Sequence, residues 1–413
     1  MQKKGYLANM NQASIRFVLM ALACAVPGSS LAQDVEQPLV TPYADIRYRL
    51  ELVDQDGLPE DAMASTLRIR AGVKTAEFHG LSAVVEGEAI VRLGPRDFND
   101  TVNGRTAFPV VADPSDVLLN QAYVRWRPDP ALEAIGGRQA VNLDNQRWIG
   151  SVGWRQNDQT LDAARVTLRP LKGGSVDYLY AWRVNRVFGP DSPQGVWHDT
   201  DIHGARVGYT IAGLGTVSAY GYLFDIPASL ASSSQTLGAR ITGEQAVGKG
   251  TKLLYVGEYA RQTDHAGNPQ DFALDYLLIE SGIAHQGVSA KAGFERLEGN
   301  GSAALQTPLA TLHAFNGWAD KFLVTPAGGL RDLYLDGGYK FGEDSALKGL
   351  ALRGVWHDYN STFGSADYGS EWNAMASYPI DKRVTALVKF AHYDASTLAT
   401  DTTKAWFSLE AKF

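Results

Sequence analysis

The sequence predicts an all-β fold: an 18-stranded antiparallel transmembrane β-barrel that follows a cleaved signal peptide. Three observations predict it. Apolar residues recur at every second position over long segments, the connections alternate between short and long, and the last segment is amphipathic and ends in Phe413. With 45% hydrophobic and 20% charged residues, the composition excludes a disordered or fibrous chain. A single cysteine excludes a disulfide-bonded scaffold.

The N-terminus has the three parts of a secretory signal. Lys3, Lys4 and Arg16 form a positive region, residues 17–26 are apolar, and a small-residue cleavage site ends at Ala32. We therefore predict a signal peptide at residues 1–32 and one barrel domain at 33–413, with a disordered N-terminus as the alternative. Cleavage would leave 35 Lys and Arg against 45 Asp and Glu, a net charge of −10. This balance gives no basic footprint for nucleic acid.

The alternation is clearest in the first segment. Apolar side chains at positions 44, 46, 48, 50 and 52 alternate with charged ones at 45, 47, 49 and 51. Successive side chains of a strand point to opposite faces, so the segment is a two-faced ribbon. Strands of soluble sandwiches usually have about 5–6 residues, whereas a tilted strand that crosses a bilayer needs about 9–11. In lipid such strands must close into a barrel.

Eighteen segments of this kind follow one another along the chain, and an even number is typical of bacterial barrels. The predicted strands are 43–53, 65–78, 80–93, 117–127, 131–141, 160–170, 174–187, 201–212, 215–226, 235–247, 250–263, 272–284, 287–297, 329–341, 348–358, 368–379, 382–393 and 402–413.

The connections between these strands alternate in length. Short ones, rich in Gly, Pro, Asp and Lys, have turn chemistry. The long ones include 94–116, 142–159, 188–200 and 298–328. Short periplasmic turns and longer extracellular loops are typical of outer-membrane barrels. The predicted location is therefore the bacterial outer membrane, with its lipid as a partner.

The last strand and the aromatic residues agree with this location. The last segment places Phe407, Leu409, Ala411 and Phe413 on one face; an ordinary edge strand is the alternative. Aromatic side chains also fall on the predicted outer face, as in the interfacial girdles of such barrels. They are Trp126, Tyr178, Tyr180, Trp182, Tyr209 and Trp356.

The predicted inner face is rich in arginine, and rings of Arg and Lys favour anionic solutes. We predict that the following residues line the pore and bind solute: Arg47, Arg49, Arg68, Arg70, Lys74, Arg125, Arg127, Arg138, Arg183, Arg206 and Arg240. Fewer acids share that face, so a net basic lumen is expected. The alternative is that arginines and acids cross-brace the wall.

Two long loops are candidates for a constriction. Loop 298–328 is largely uncharged and contains Phe315, Trp318 and Phe322, so we expect it to fold inward or cap the pore. Packing across the rim or in a subunit contact is the alternative. Loop 142–159 is the second candidate. It contributes Arg147, Trp148 and Trp154.

No motif indicates a catalytic, metal or cofactor site, since the sequence contains no HExxH, paired CxxC or GxSxG pattern. The group at 198–203, with two His and two Asp, is best explained as a solvated loop. Glu86 and Glu88 lie on one face of a strand, two residues apart, which favours a salt-bridge network over catalysis.

Three stretches resemble the bacterial outer-membrane alginate export family, whose members are porin-like barrels. They are GRQ at 137–139 with LDNQRWIG at 143–150 and GWRQN at 153–157; RVNRVFG at 183–189; and QTPLATLH at 306–313 with NGWADKF at 316–322. The resemblance implies an export-type channel and, as a candidate solute, an acidic polysaccharide such as alginate.

These observations together predict an outer-membrane channel for passive diffusion or export of anionic solutes, without enzymatic activity or cofactor. An outer-membrane hydrolase and a surface receptor or adhesin on a plugged barrel are the alternatives. Periplasmic export machinery is a further candidate partner, and the oligomeric state is left open.

Overall fold

The computed structural model describes residues 38–413, so the predicted signal peptide lies outside the described residues. Nineteen strands follow one another in the chain. They are β1 (Val40–Gln55), β2 (Ala62–Thr75), β3 (Leu81–Arg92), β4 (Asp116–Asp129), β5 (Leu132–Gln139), β6 (Thr160–Leu168), β7 (Gly174–Asn185), β8 (Val196–Trp197), β9 (Asp201–Ile211), β10 (Gly215–Asp225), β11 (Ser234–Gly248), β12 (Thr251–Asp264), β13 (Ala273–His285), β14 (Val288–Leu297), β15 (Leu330–Lys340), β16 (Ala351–Asn360), β17 (Asp367–Pro379), β18 (Val384–Ala395) and β19 (Thr402–Lys412).

Eighteen of these strands form a closed antiparallel barrel. β1 pairs with β2 on one side and with β19 on the other, so the sheet has no free edge. β8 has only two residues and pairs with the end of β7. The predicted fold is confirmed, and each predicted strand starts and ends within three residues of an observed one.

The barrel is oriented by its connections. Short turns join the strands at one end, which is the periplasmic end of an outer-membrane barrel. Longer loops leave the other, extracellular end. Two of them are named here: L3, residues 140–159, and L7, residues 298–329. Two short 3-10 helices, Pro227–Ser232 and Leu312–Ala314, lie in extracellular connections.

The two faces of the wall differ as the alternation predicts. Trp126 and Tyr209 are 43% and 47% exposed on the outer face, whereas Arg49 and Glu51 are almost fully buried inside. A continuous exposed apolar surface of this kind matches a barrel whose outer side meets lipid. Among residues 38–413, no helix is long and apolar enough to cross a membrane.

The interior of the barrel is filled by side chains and loops. Inward-facing Tyr222, Tyr276, Tyr359 and Tyr393 are fully buried, and they form one cluster with apolar residues of L3 and L7. Phe322 of L7, for example, lies 4.4 Å from Tyr359 between ring centroids. The core of this protein is therefore the lumen, and it includes the two long loops.

Candidate functional site

L3 crosses the lumen, and its first half is fixed to the wall formed by β10 and β12. The indole Nε1 of Trp148 donates hydrogen bonds to the Tyr220 hydroxyl and to Glu258 Oε1, both at 2.9 Å. The same ring packs edge-on against Tyr276, with centroids 5.3 Å apart. A buried indole N–H needs a partner, and Glu258 satisfies it. Trp148 thus anchors this half of the loop.

The second half of L3 reaches the opposite wall, formed by β1 and β2. The Arg47 guanidinium donates to Gln156 Oε1 at 3.0 Å and to the Gly153 carbonyl at 2.9 Å. Arg49 donates to the Trp154 carbonyl at 2.5 Å. Gln156 in turn donates to Thr66 Oγ1 at 3.0 Å. Since the two anchored walls lie across the barrel from each other, L3 spans the lumen.

L7 enters the lumen from the other side, and its tip binds an acidic wall. Asn316 Nδ2 donates to Glu295 Oε2 at 2.7 Å and to Asp332 Oδ2 at 3.0 Å. The backbone N–H groups of Trp318 and Ala319 both donate to Glu371 Oε1, at 2.5 and 2.9 Å. A buried carboxylate that accepts two backbone N–H groups holds the loop by charge-assisted hydrogen bonds.

L3 and L7 are also joined to each other. The Gly150 N–H donates to the Leu309 carbonyl at 2.8 Å, and the Thr311 N–H donates to the Gln146 carbonyl at 3.0 Å. Arg155 of L3 pairs with Asp320 of L7 at 2.8 Å. The two loops therefore behave as one partition inside the barrel.

A chain of polar groups runs through the centre of this partition. His313 Nδ1 lies 2.7 Å from Asp320 Oδ1, and its Nε2 lies 2.7 Å from Lys389 Nζ, the donor on that side. The imidazole stacks on Trp154, with centroids 4.7 Å apart and planes 4° apart. Lys404 completes the chain with an ion pair to Asp320 at 3.0 Å.

The environment of His313 keeps its ring neutral. Burial lowers the pKa of His313 to about 3; the Asp320 carboxylate opposes this shift, and the Lys389 ammonium adds to it. A neutral ring donates from Nδ1 to Asp320 and accepts at Nε2 from Lys389. Lys389 makes no ion pair in the described chain, and its ammonium lies about 4 Å from the ring centroids of Trp154 and Trp318.

Two cavities lie on opposite sides of the partition. The outer cavity, about 390 Å³, opens toward the extracellular loops, and the inner cavity, about 260 Å³, lies beneath the L7 tip. Segment 312–321 contributes to the lining of both. A solute that crosses the barrel by way of these cavities therefore has to pass this segment.

The charges of the two cavities differ. Among the charged residues of the outer cavity, four are basic and one is acidic: Arg155, Arg186, Lys321, Lys404 and Asp320. The inner cavity has three cations and four carboxylates: Arg240, Lys291, Arg353, Glu280, Glu295, Asp332 and Asp336. Only the outer cavity is therefore clearly basic.

Two of the outer cations lack a carboxylate within ion-pair distance in the described chain. Arg186 donates to the Gln194 carbonyl at 3.2 Å, and its guanidinium carbon lies 4.2 Å from the Trp197 ring centroid. Burial lowers the pKa of Arg186 to about 10. Burial, with Lys404 nearby, lowers the pKa of Lys321 to about 8. Both residues stay charged at neutral pH, and an anion in this cavity would compensate them.

Most of the predicted pore-lining residues face the lumen, but they differ in how accessible they are. Arg138 and Arg183 are exceptions, and their prediction was wrong: both lie on the outer face, in register with Ala122 and Asp162, whereas the neighbouring Gln139 and Val184 are buried inside. Gly136 and Gly137 have no side chain that sets the phase of β5, and a bulge shifts the register of β7 between Ala181 and Arg183. Arg47, Arg49, Arg68 and Arg70 are each 9% exposed or less, and L3 covers most of this group. Most of the others pair with carboxylates: Arg138 with Asp162, Arg206 with Asp144, and Arg240 with Glu258, while Arg183 lies 3.9 Å from Asp162. Lys74, Arg125 and Arg127 lie near the periplasmic mouth, where Arg125 and Arg127 are close to Glu77. Their part in solute binding stays a prediction.

The predicted constriction residues lie inside the barrel on L3 and L7. Arg147 pairs with Glu295 at 2.9 Å and lies over the Phe315 ring at 4.7 Å. Trp148 and Trp154 fix the two halves of L3, while Trp318 and Phe322 are buried at the wall. The loops fold inward, which was one of the placements expected for L7.

Sequence reasoning missed several site residues. Arg155, Arg186 and Lys321 lie in loops, where no alternation assigns a face. Glu295 and Glu371 are inward acids that the alternation could have found. Glu295 lies four residues after the inward Lys291, and Glu371 lies two residues before the inward Asn373. Both acids bind L7 and so do not face open water in the lumen.

Comparisons with known proteins agree with this architecture. The alginate export family model matches residues 44–297. Solved structures with the same fold include OccAB4 of Acinetobacter baumannii, with 12% identity, a TM-score of 0.73 and coverage of 92% of this chain and 99% of that chain. OpdL of Pseudomonas aeruginosa has 16% identity, a TM-score of 0.69 and coverage of 91% and 98%. OpdK of Pseudomonas aeruginosa, solved with vanillate, has 13% identity, a TM-score of 0.69 and coverage of 90% and 98%. Curated proteins give no match.

The fold and the basic outer cavity define an outer-membrane channel of the porin type. The chain belongs to the alginate export family, since the family model covers more than half of it. This confirms the predicted family and location. The match includes the resembling stretches at 137–157 and 183–189, whereas the stretch at 306–322 lies beyond it.

Proposed function

We propose that this outer-membrane channel admits small organic anions with an apolar body, by passive diffusion. The observation that carries the proposal is the outer cavity, where Arg186 and Lys321 have no carboxylate partner in the described chain. A cation held in a partly buried site favours an anion strongly, because surrounding water screens it less.

The walls of this cavity favour a compact solute with a carbon skeleton. Phe108, Val110, Phe188, Leu312 and Leu323 contribute much of its lining. These side chains offer no hydrogen bonds to the hydroxyl groups of a saccharide, and removing hydroxyls from water without partners is costly. Vanillate, present in the OpdK structure, has the favoured chemistry: an aromatic body and one carboxylate.

The partition also favours a small solute over a polymer. L3 and L7 bind both walls and each other, so an acidic polysaccharide would have to displace several buried hydrogen bonds along its whole length. A small anion needs only a local displacement of segment 312–321. Alginate is therefore the second candidate, and it rests on the family name.

We propose that transport involves no covalent chemistry. Of the two inward acids that could serve catalysis, Glu88 is ion-paired with Arg70. Glu86 accepts hydrogen bonds from Asn120 at 2.7 Å and Gln121 at 3.1 Å. Both carboxylates are thus engaged in the wall, which supports bracing. An E86Q variant is expected to keep the wild-type conductance.

The reversal potential in a KCl gradient across a planar bilayer tests anion selectivity. We compare wild type with R186Q/K321Q and with K382Q/R383Q, which removes the same charge at the periplasmic turn. Only R186Q/K321Q should lose anion preference. Cation preference in the wild type would refute the proposal.

Solute class is tested in the same bilayers by block of the chloride current. Vanillate should block the wild type, and the block should weaken about tenfold or more in R186Q/K321Q, the scale of one lost charge-assisted hydrogen bond. A uronate oligomer should block weakly. Strong block by the oligomer with none by vanillate would instead support the polysaccharide.

A further inference from the structure

Three arginines form a patch on the outer wall at the extracellular end of the barrel. They are Arg261 of β12, Arg296 of β14 and Arg331 of β15, here called the rim patch. Their sequence neighbours Gln262, Glu295 and Asp332 are buried in the lumen. Because side chains alternate along a strand, the three arginines point outward.

The rim patch lies where the apolar belt ends. Phe294 and Leu333 are register partners on the outer face, and Arg296 and Arg331 are partners two residues farther toward the extracellular end. Leu333 and the nearby Ile279 are exposed apolar residues. The guanidinium groups therefore lie at the level of the headgroups of the outer leaflet, just above the hydrocarbon.

The charge balance within the rim patch leaves one cation unpaired. Arg296 pairs with Glu298 at 2.5 Å, and Arg261 pairs with Asp275 at 2.9 Å. Arg331 makes no ion pair with any described residue, although it lies directly opposite Arg296 in the ladder.

Like charges at facing positions repel, so this pair is unfavourable without an anion between its members. One more acid is nearby. Asp358 faces outward as the register partner of Leu333, so it lies two residues closer to the middle of the membrane than Arg331. Its carboxylate accepts a hydrogen bond from Asn360 at 2.9 Å.

Acids predominate among the other charged residues of the outer rim. Among the described strands, the other charged residues that face outward near the extracellular end are Asp54, Asp162, Asp201, Asp225, Asp367 and Asp394, with Arg138 and Arg183 on either side of Asp162. A phosphate group can approach these carboxylates only with a divalent cation between them. At Arg296 and Arg331 it can bind directly, because guanidinium groups donate paired hydrogen bonds to phosphate oxygens.

We propose that Arg296 and Arg331 form a binding site for the phosphorylated saccharide headgroup of an outer-leaflet glycolipid. One phosphate bridges the two guanidinium groups, while the acyl chains pack on Phe294, Leu333 and the apolar belt below. The site fixes this side of the barrel to its lipid. It does not depend on what the channel transports.

The test measures glycolipid binding to the full-length purified protein in detergent by native mass spectrometry. EDTA is present throughout, so that divalent bridges at the acidic rim are removed. The probe is bis-phosphorylated lipid A; dephosphorylated lipid A and phosphatidylglycerol are compared with it. R296Q/R331Q removes the site, and K382Q/R383Q removes the same charge at the periplasmic turn.

Wild type and K382Q/R383Q should bind phosphorylated lipid A equally. R296Q/R331Q should bind it roughly thirtyfold more weakly, since each basic residue at an anionic lipid surface contributes about fivefold. R331Q alone serves if the double variant does not fold. Unchanged binding in these variants, or equal binding of dephosphorylated lipid A or phosphatidylglycerol, would overturn the proposal.

Discussion

Replacing Gly317 by alanine is expected to release the tip of L7 from the acidic wall. Gly317 has a φ of +87°, and a Cβ at this position would lie 2.2 Å from Glu371 Oε2 and 2.3 Å from the Tyr359 hydroxyl oxygen. Glu371 and Tyr359 are both fully buried on barrel strands. Neither can move aside without disturbing the wall, so the loop has to move instead.

The expected magnitude follows from two costs. A left-handed backbone costs a residue with a Cβ about 1–2 kcal/mol, and forced overpacking typically costs about 1–3 kcal/mol. Their sum, roughly 2–5 kcal/mol, shifts the equilibrium between docked and released loop by roughly thirtyfold to several thousandfold. The free energy of unfolding of the barrel should change little, because movement of the loop relieves the collision.

Single-channel recording in planar bilayers measures this shift. G317A should show a larger or more strongly fluctuating conductance than wild type. Gly364 provides a matched control: its φ is +79°, and a Cβ there would have open space around it, so G364A has the backbone cost without the collision. Identical conductance in wild type, G317A and G364A would refute the view that the L7 tip limits the pore.

Three further predictions concern charge. R70E leaves the buried Glu88 without its cation, so the folded yield in a heat-modifiability assay should fall, at a cost of about 3–5 kcal/mol; normal folding would contradict this. R125E, at the partly exposed periplasmic mouth, should fold normally and lower anion preference in a reversal-potential measurement. An unchanged reversal potential would exclude Arg125 from the pathway. Docking of L7 lowers the pKa of His313 from an ordinary value near 6.5 to about 3. The docked loop is therefore fully stabilised above about pH 6.5, and this stabilisation decreases as the pH falls toward 3. Conductance noise should therefore rise at pH 4.5 in wild type and not in H313Q; equal noise in both would contradict the role of the His313–Lys389 contact.

The alternation in the strands predicts most of the wall because it is a local property, and it fails at Arg138, which follows two glycines, and at Arg183, which follows a bulge. Arg49 and Glu51 face inward and Leu50 faces outward, as expected, since a shift of one residue would place charges in lipid. The alternation of short and long connections likewise predicts which end of the barrel is periplasmic. The inward position of Lys389 also follows from the alternation along β18.

The contents of the lumen could not be predicted in this way. Arg47 contacts Gln156, 109 residues away, and Trp148 contacts Glu258, 110 residues away. No periodic pattern relates such residues. As a result, the inward arginines expected to line water are largely covered by L3, and the uncompensated cations Arg186 and Lys321 lie in loops.

The sequence by itself determined the barrel, its strand number, its membrane-facing side and its family, because each of these depends on side-chain order along single strands and turns. The tertiary structure alone decided which loops enter the lumen and which charges remain without partners. The physical reason is that a charge is neutralised by what lies within about 4 Å of it in space, and in a barrel those groups come from opposite walls and distant loops.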